Sequence, residues 1–300
     1  MPESTPFPPQ FLNQLQGFLT RAEAVLARVE AQLPPPVADP EWATVIACRW
    51  RRRAGGGSGN GALLPVSALY PIRLDDLSGI EAQKARVVAN TRQFVAGRPA
   101  NNALLTGARG SGKSSLVKAL LNEFAGQALR LIEIDKEDLL DLPDIVERVR
   151  HRPEKFLVFC DDLSFDAGEG AYKALKSTLD GSIAAPPENV LIYATSNRRH
   201  LMPEFFSENL ETSRVDGEIH PGEATEEKIS LSERFGLWVS FYPFDQDAYL
   251  TIVAHWLATF GFSGKEIAAA ERDALNWALS RGSRSGRVAW QFARDYAGGR

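Results

Sequence analysis

Apolar positions follow a helical spacing near the start of the chain and switch later to short unbroken runs. Phe11, Leu15, Phe18, Ala22, Val25 and Val29 lie four, three, four, three and four residues apart. That stripe predicts a helix over 9–33 of the narrow, coiled-coil-like kind, ended by Pro34, Pro35 and Pro36. Asp39 before Pro40 then predicts the cap and first turn of a second helix. It would carry Trp42, Ile46 and Trp50 on one face and run into the basic series Arg49, Arg51, Arg52 and Arg53. Five glycines follow within 55–61, a stretch that is flexible or closely approached by another group. Residues 1–60 are therefore expected to form an N-terminal helical appendage with a glycine-rich linker.

Beyond residue 63 the pattern changes. Apolar runs at 103–105, 129–134, 156–160, 190–194 and 237–241 alternate with amphipathic stretches. Strands separated by helices predict crossover units and a parallel sheet covered on both faces. After Pro243 the runs stop, and Tyr249, Ile252, Val253, Trp256 and Leu257 share one helical stripe. The expected organisation is an αβ domain over 61–243 and a helical lid over 244–300.

Composition changes this picture little. The 300 residues are 44% hydrophobic and 24% charged, with a formal net charge of -4, so no global basic field argues for nucleic acid or an anionic membrane. Two distant cysteines, Cys48 and Cys160, make no disulfide framework or metal-ligand spacing. No apolar stretch reaches the length of a membrane span, and the first ten residues lack a secretory layout. These features predict a cytoplasmic protein with no membrane partner.

The sharpest chemical signal is Gly107-Ala108-Arg109-Gly110-Ser111-Gly112-Lys113-Ser114, followed by Ser115. It fits G-x-x-x-x-G-K-[ST] between a predicted strand and a predicted helix. Glycines let backbone N–H groups turn inward as an anion cradle at a helix N-terminus. Lys113 would place its charge between the β- and γ-phosphates of ATP, and the Ser114 hydroxyl would ligate Mg2+.

The run at 156–160 ends in Asp161-Asp162, which puts carboxylates where open parallel sheets bind ligands. Asp161 is the candidate magnesium ligand, and Asp162 the candidate base for the attacking water. The run at 190–194 leads to Thr195-Ser196-Asn197, where Asn197 would hydrogen-bond the γ-phosphate or that water. Arg234, just before the last strand, is the candidate finger entering a neighbouring subunit's site. Arg287 is favoured over Arg284 as the lid arginine reaching back to the nucleotide. Upstream, the segment from Tyr70 to Ile80 would fold over the adenine, with Ile80 in apolar contact. The polar stretch 208–228 is expected to be a mobile solvated loop.

In this order, the box from Asp75 to Ile80, the phosphate loop, Asp161-Asp162, Asn197, Ser232-Glu233-Arg234-Phe235 and Gly286-Arg287 resemble AAA+ ATPases over roughly 65–298. More narrowly, Tyr70-Pro71-Ile72-Arg73-Leu74-Asp75-Asp76-Leu77, Phe159-Cys160-Asp161-Asp162-Leu163 and Ala194-Thr195-Ser196-Asn197-Arg198 resemble a bacterial AAA+ family catalogued as domain of unknown function 815. The resemblance implies an α/β P-loop NTPase with a five-stranded parallel sheet, ATP with Mg2+, and homo-oligomers. It supplies no substrate. Many AAA+ proteins carry glutamate where Asp162 stands, which leaves the hydrolysis rate open.

Two functions compete. One is an ATPase that couples nucleotide state to remodelling of a macromolecular partner. The other is a slow-turnover ATP switch that binds nucleic acid or a helicase, like the helicase loaders that Asp161-Asp162 also resembles; the Arg49–Arg53 series would touch phosphates. A small-molecule kinase would need the phosphate loop but has no use for the second carboxylate, the polar strand end and the lid.

Overall fold

The computed structural model describes residues 8–30, 39–52, 61–165, 170–180, 187–197, 213–215, 218–220 and 233–299. The chain divides into two compact units, Met1–Asp39 and Pro40–Arg300. The first contains helix α1 (Pro9–Glu30), whose apolar positions Phe11, Leu15, Phe18, Val25 and Val29 are all exposed.

In the second unit the expected helix through Trp42 and Trp50 does not form. A turn at Glu41, closed by its carbonyl accepting from the Thr44 and Val45 N–H groups, leads into strand β1 (Ala47–Arg52). This strand pairs antiparallel with β2 (Gly61–Pro65) and parallel with β4 (Leu129–Glu133). The misreading has a simple cause. A spacing of four residues is also a multiple of two, so positions 42, 46 and 50 fit one face of an extended chain as well as one face of a helix. The arginines decide the matter through partners far along the sequence. Arg49 bonds Glu133 at 2.7 Å, Arg51 pairs with Asp135, and Arg52 bonds Asp141 at 3.0 Å. Trp50 Nε1 donates to the same fully buried Asp141 at 3.0 Å.

The main sheet therefore has seven strands rather than the five expected. Its order is β2-β1-β4-β5-β6-β3-β9, with β3 (Ala103–Gly107), β5 (Lys155–Cys160), β6 (Val190–Ser196) and β9 (Leu237–Phe241). All pairings except β1–β2 are parallel. The five expected strands are present, and the two additional ones come from the segment on either side of the glycine-rich stretch. Central strands bury both faces: Phe156, Val158 and Cys160 point into one apolar cluster, Leu157 and Phe159 into the other. Helices α2 (Glu81–Val95) and α3 (Lys113–Phe124) cover the second face through Val87, Phe94, Leu116 and Leu120. Helices α4 (Leu142–Val149) and α5 (Gly170–Asp180) cover the first through Ile145, Val149, Tyr172 and Leu175. Each such side chain contributes about 1.5–3 kcal/mol of burial.

Within 208–228, expected as a loop, the described residues form a short antiparallel pair, β7 (Ser213–Val215) with β8 (Glu218–His220). The lid consists of α6 (Gln246–Thr259), α7 (Gly264–Ser280) and α8 (Gly286–Gly298) around its own core. Ala270, Ala274 and Ala278 keep one face of α7 small, and Tyr249 on α6 donates its hydroxyl to the Ala274 carbonyl at 3.1 Å. Caps hold the helix starts: Asp245 accepts from the Ala248 N–H at 2.8 Å, and Ser263 and Glu266 form a capping box.

Candidate functional site

Strand β3 delivers the phosphate loop at its C-terminal end, where the chain needs left-handed backbone. Gly107 has φ 128°, and a Cβ there would lie 1.8 Å from the Phe241 carbonyl oxygen of β9. Gly110 has φ 72°, and a Cβ there would lie 2.7 Å from Ser285 Cβ at the foot of α8. Only glycine fits either place. Lys113 opens α3 and is 5% exposed. Its ammonium donates to the carbonyls of Gly107 at 2.8 Å and Ala108 at 2.7 Å, and to Asn197 Oδ1 at 3.1 Å. Burial lowers its pKa below the usual lysine range, against the opposing pull of the Asp161 and Asp162 charges.

The ends of β5 and β6 complete the polar wall. Ser114 Oγ donates to Asp161 Oδ1 at 2.5 Å. Asn197 Nδ2 donates to Asp162 Oδ1 at 2.5 Å. Asp162 itself has φ 53°, unusual for a residue with a Cβ. The loop lysine, the two carboxylates and the polar strand end thus form one continuous hydrogen-bonded set. Chain positions as far apart as 113 and 197 meet because parallel neighbours all end at the same edge of the sheet.

Above this wall lies a cavity of about 580 Å3. Arg109, Gly110, Ser111, Gly112, Lys113, Ser114 and Ser115 line its floor, and Ile80 lines its apolar side beside Ile72 and Leu77. Ile80 also packs in the core, at 3% exposure. The lid closes the opposite side. The Gly286 N–H donates to the Gly110 carbonyl at 2.9 Å, so the first turn of α8 rests on the phosphate loop and brings Arg287 into the cavity. Arg284 lines a neighbouring depression with Arg109 and Leu279 instead. Arg234 lies outside the cavity and pairs with Asp180 at the end of α5.

Sequence reasoning missed part of the lining. Lys118, Thr195, Phe244, Trp256 and Trp290 all face the cavity, beside Tyr70 from the segment expected over the adenine. Trp256 belongs to the apolar stripe read as lid core, and its ring meets that of Trp290 edge-on at 4.5 Å. No periodicity separates a tryptophan that fills a core from one that walls a cavity. The basic series, by contrast, is placed away from this site, and the guanidinium groups of Arg49, Arg51 and Arg52 are each held by a carboxylate; Arg53 lies outside the described residues. Burial pushes the Cys160 thiol up to about 12, as expected of a buried strand thiol.

Comparison with known proteins places the chain further. The family described as "Protein of unknown function (DUF815)" matches residues 43–300. Over 153 residues the chain is 29% identical to the 26S proteasome regulatory subunit 4 homolog of Schizosaccharomyces pombe, covering 44% of this chain and 33% of that protein. Over 79 residues it is 39% identical to the replication factor C large subunit of Thermofilum pendens, covering 26% of this chain and 18% of that one. The chain thus spans a third or less of the curated relatives it matches. Among solved structures, a RuvB variant from Thermotoga maritima aligns with a TM-score of 0.47 at 16% identity, covering 75% of this chain and 63% of RuvB. A chain of the Escherichia coli HORMA:CdnC:Trip13 complex aligns with 0.48 at 13% identity, covering 74% of this chain and 90% of that one. At that level of likeness neither structure informs the chemistry of this site.

Proposed function

The chain belongs to the DUF815 family and is an AAA+ protein, and from that premise we propose that it binds and hydrolyses ATP with Mg2+ to drive conformational work on a macromolecular partner. One observation carries this reading: Lys113, Ser114, Asp161, Asp162 and Asn197 converge on one cavity that the lid closes with Arg287. The donor set suits the implied metal. Mg2+ prefers hard oxygens and usually takes one or two protein ligands, the rest coming from phosphates and water. Ser114 Oγ and Asp161 Oδ1 are such a pair, 2.5 Å apart. Among the described residues no group of three or more His, Cys, Asp or Glu side chains forms a fuller metal cage. Bound metal would neutralise charge across the β- and γ-phosphates.

The chain's own residues supply the remaining roles. Lys113 exchanges its bonds to the loop carbonyls and Asn197 for phosphate oxygens. Asp162, held by Asn197, takes the proton of the attacking water, and Asn197 orients that water or the γ-phosphate. Arg287 reads phosphate state into the angle of the lid. Arg234, which does not line its own cavity, would exchange its pairing with Asp180 for the site of a neighbouring copy in a homo-oligomer.

Wild-type protein should release phosphate from ATP only with a divalent ion, and its specific activity should rise with protein concentration. Lys113→Ala should bind no nucleotide. Activity strictly proportional to enzyme and untouched by Arg234→Ala would remove the oligomer; no calorimetric signal with ATP and Mg2+ would remove the whole reading.

A second reading, a slow-turnover ATP switch, is favoured by Asp162 alone. Its carboxylate is one methylene shorter than glutamate and already bonded to Asn197, so ATP would persist for many seconds. Single-turnover kinetics separate the two. The nucleic-acid version of the switch is less favoured, because three arginines of the basic series are each paired with a carboxylate.

A further inference from the structure

Thr195 lies on β6, two residues before Asn197, is 1% exposed, and faces the cavity. Its neighbours along the strand, Val190 to Ala194, are apolar, and valine would fill the same volume. The hydroxyl is therefore a polar group that packing alone does not require.

That hydroxyl both donates and accepts. Oγ1 donates to Asp161 Oδ1 at 2.5 Å and accepts from the Asp162 N–H at 2.9 Å, which uses the hydroxyl's single proton and one of its two acceptor positions. The Thr195 carbonyl accepts from the Leu163 N–H at 2.7 Å. One residue of β6 thus holds three consecutive residues of the turn that leaves β5. Two consequences follow. Ser114 also bonds Asp161 Oδ1, but a serine that turns toward a metal gives up that bond, and Thr195 then remains to orient the carboxylate. A carboxylate that ligates a metal depends on such a hydrogen bond from outside the coordination sphere. Second, the left-handed backbone of Asp162, at φ 53°, is disfavoured for a residue with a Cβ. The bond from its N–H to Thr195 helps hold this conformation, in which the Asp162 carboxylate meets Asn197 Nδ2 at 2.5 Å.

We infer that Thr195 is a positioning residue, whose hydroxyl sets Asp161 for the metal and Asp162 for the water through one bifunctional link. The inference rests on the nucleotide reading of the site. Its test uses the full chain with Mn2+ as a paramagnetic probe, a non-hydrolysable ATP analogue for binding, and ATP for turnover. Thr195→Val removes the hydroxyl at constant shape. It should weaken Mn2+ binding to the analogue-loaded protein about 10–100-fold and lower kcat at saturating metal, while metal-free analogue binding stays within about twofold. Thr195→Ser should restore both. Where valine prevents folding, Thr195→Cys replaces it, since a thiol is a weak donor.

A double variant reads the route of action. If the hydroxyl works through Asp161, adding Thr195→Val to Asp161→Asn should cost Mn2+ affinity nothing more. Wild-type metal affinity and turnover in Thr195→Val, or a serine variant as impaired as the valine one, would overturn the inference, the latter by showing that the methyl's packing matters. Failure of the wild-type protein to bind the analogue at all would instead strike the nucleotide reading.

Discussion

At the scale of single residues, the proposed roles of Lys113 and Asp162 separate binding from chemistry. Lys113 is buried as a cation, and desolvation already lowers its pKa, so the empty protein gains little from its charge. The charge is returned as affinity once phosphates arrive. Lys113→Ala should therefore leave the melting temperature of the nucleotide-free protein nearly unchanged or slightly raised. It should abolish the stabilisation that ATP gives to the wild type, which at a ligand concentration 100 times Kd is about 2.7 kcal/mol. Differential scanning fluorimetry with and without ATP and Mg2+ reads both. Asp162→Asn should behave oppositely. It keeps the shape of the site and its contact with Asn197, so nucleotide affinity should hold within a few fold while kcat drops about 10²–10⁴-fold. Loss of affinity in that variant would count against its assignment as the base.

Two element-level contacts carry more weight than their size. Strand β9 approaches the phosphate loop so closely that Gly107 has no room for a Cβ, the obstacle being the Phe241 carbonyl rather than a movable side chain. Gly107→Ala should thus separate β3 from β9 locally and abolish nucleotide binding even where the protein stays soluble. Isothermal calorimetry alongside far-ultraviolet circular dichroism checks this. At the other side of the sheet, Asp141 is fully buried and serves both the Trp50 indole and the Arg52 guanidinium. Asp141→Ala removes one partner of a charged network and leaves the others inside. Its expected cost is toward the lower end of the roughly 3–5 kcal/mol of a broken buried pair, because Arg52 retains some exposure and a second carboxylate, Asp138, at 3.7 Å. Urea unfolding measures it. The cavity over the phosphate loop lies elsewhere, so ATP affinity per folded molecule should not change.

For the whole molecule, the contact of interest runs between the lid and the phosphate loop. The Gly286 N–H rests on the Gly110 carbonyl, and Trp256 and Trp290 wall the cavity from the lid side. A nucleotide that occupies the cavity should change the surroundings of both indoles. Intrinsic fluorescence should therefore shift on adding ATP and Mg2+, with most of the change lost in Trp290→Phe. A shift that survives the loss of both cavity tryptophans would place the motion outside the lid. Cys48 and Cys160, whose thiols burial pushes up to about 12, should stay unreactive toward thiol reagents at pH 8 in the native protein and react on unfolding. Early reaction of Cys48 alone would report opening of the β1–β2 edge.

The sequence by itself determined the phosphate loop, the acidic strand end, the polar strand end and the lid helices. Each is a local pattern: glycines at turns, a lysine and serine at a helix start, carboxylates closing an apolar run. Such signals depend on neighbours in the chain, and these positions landed together because parallel strands end at one edge. Tertiary structure alone decided the rest. The segment from Trp42 to Arg52 became a turn and a strand rather than a helix because its arginines found Glu133, Asp135 and Asp141, more than eighty residues away, and a spacing of four cannot tell a helix from a strand. Likewise Thr195 gained its role, and Trp256 and Trp290 their place in the cavity, only when strand met strand and lid met core. Hydrogen-bond partners and burial are properties of the folded chain, and no periodicity along the sequence encodes them.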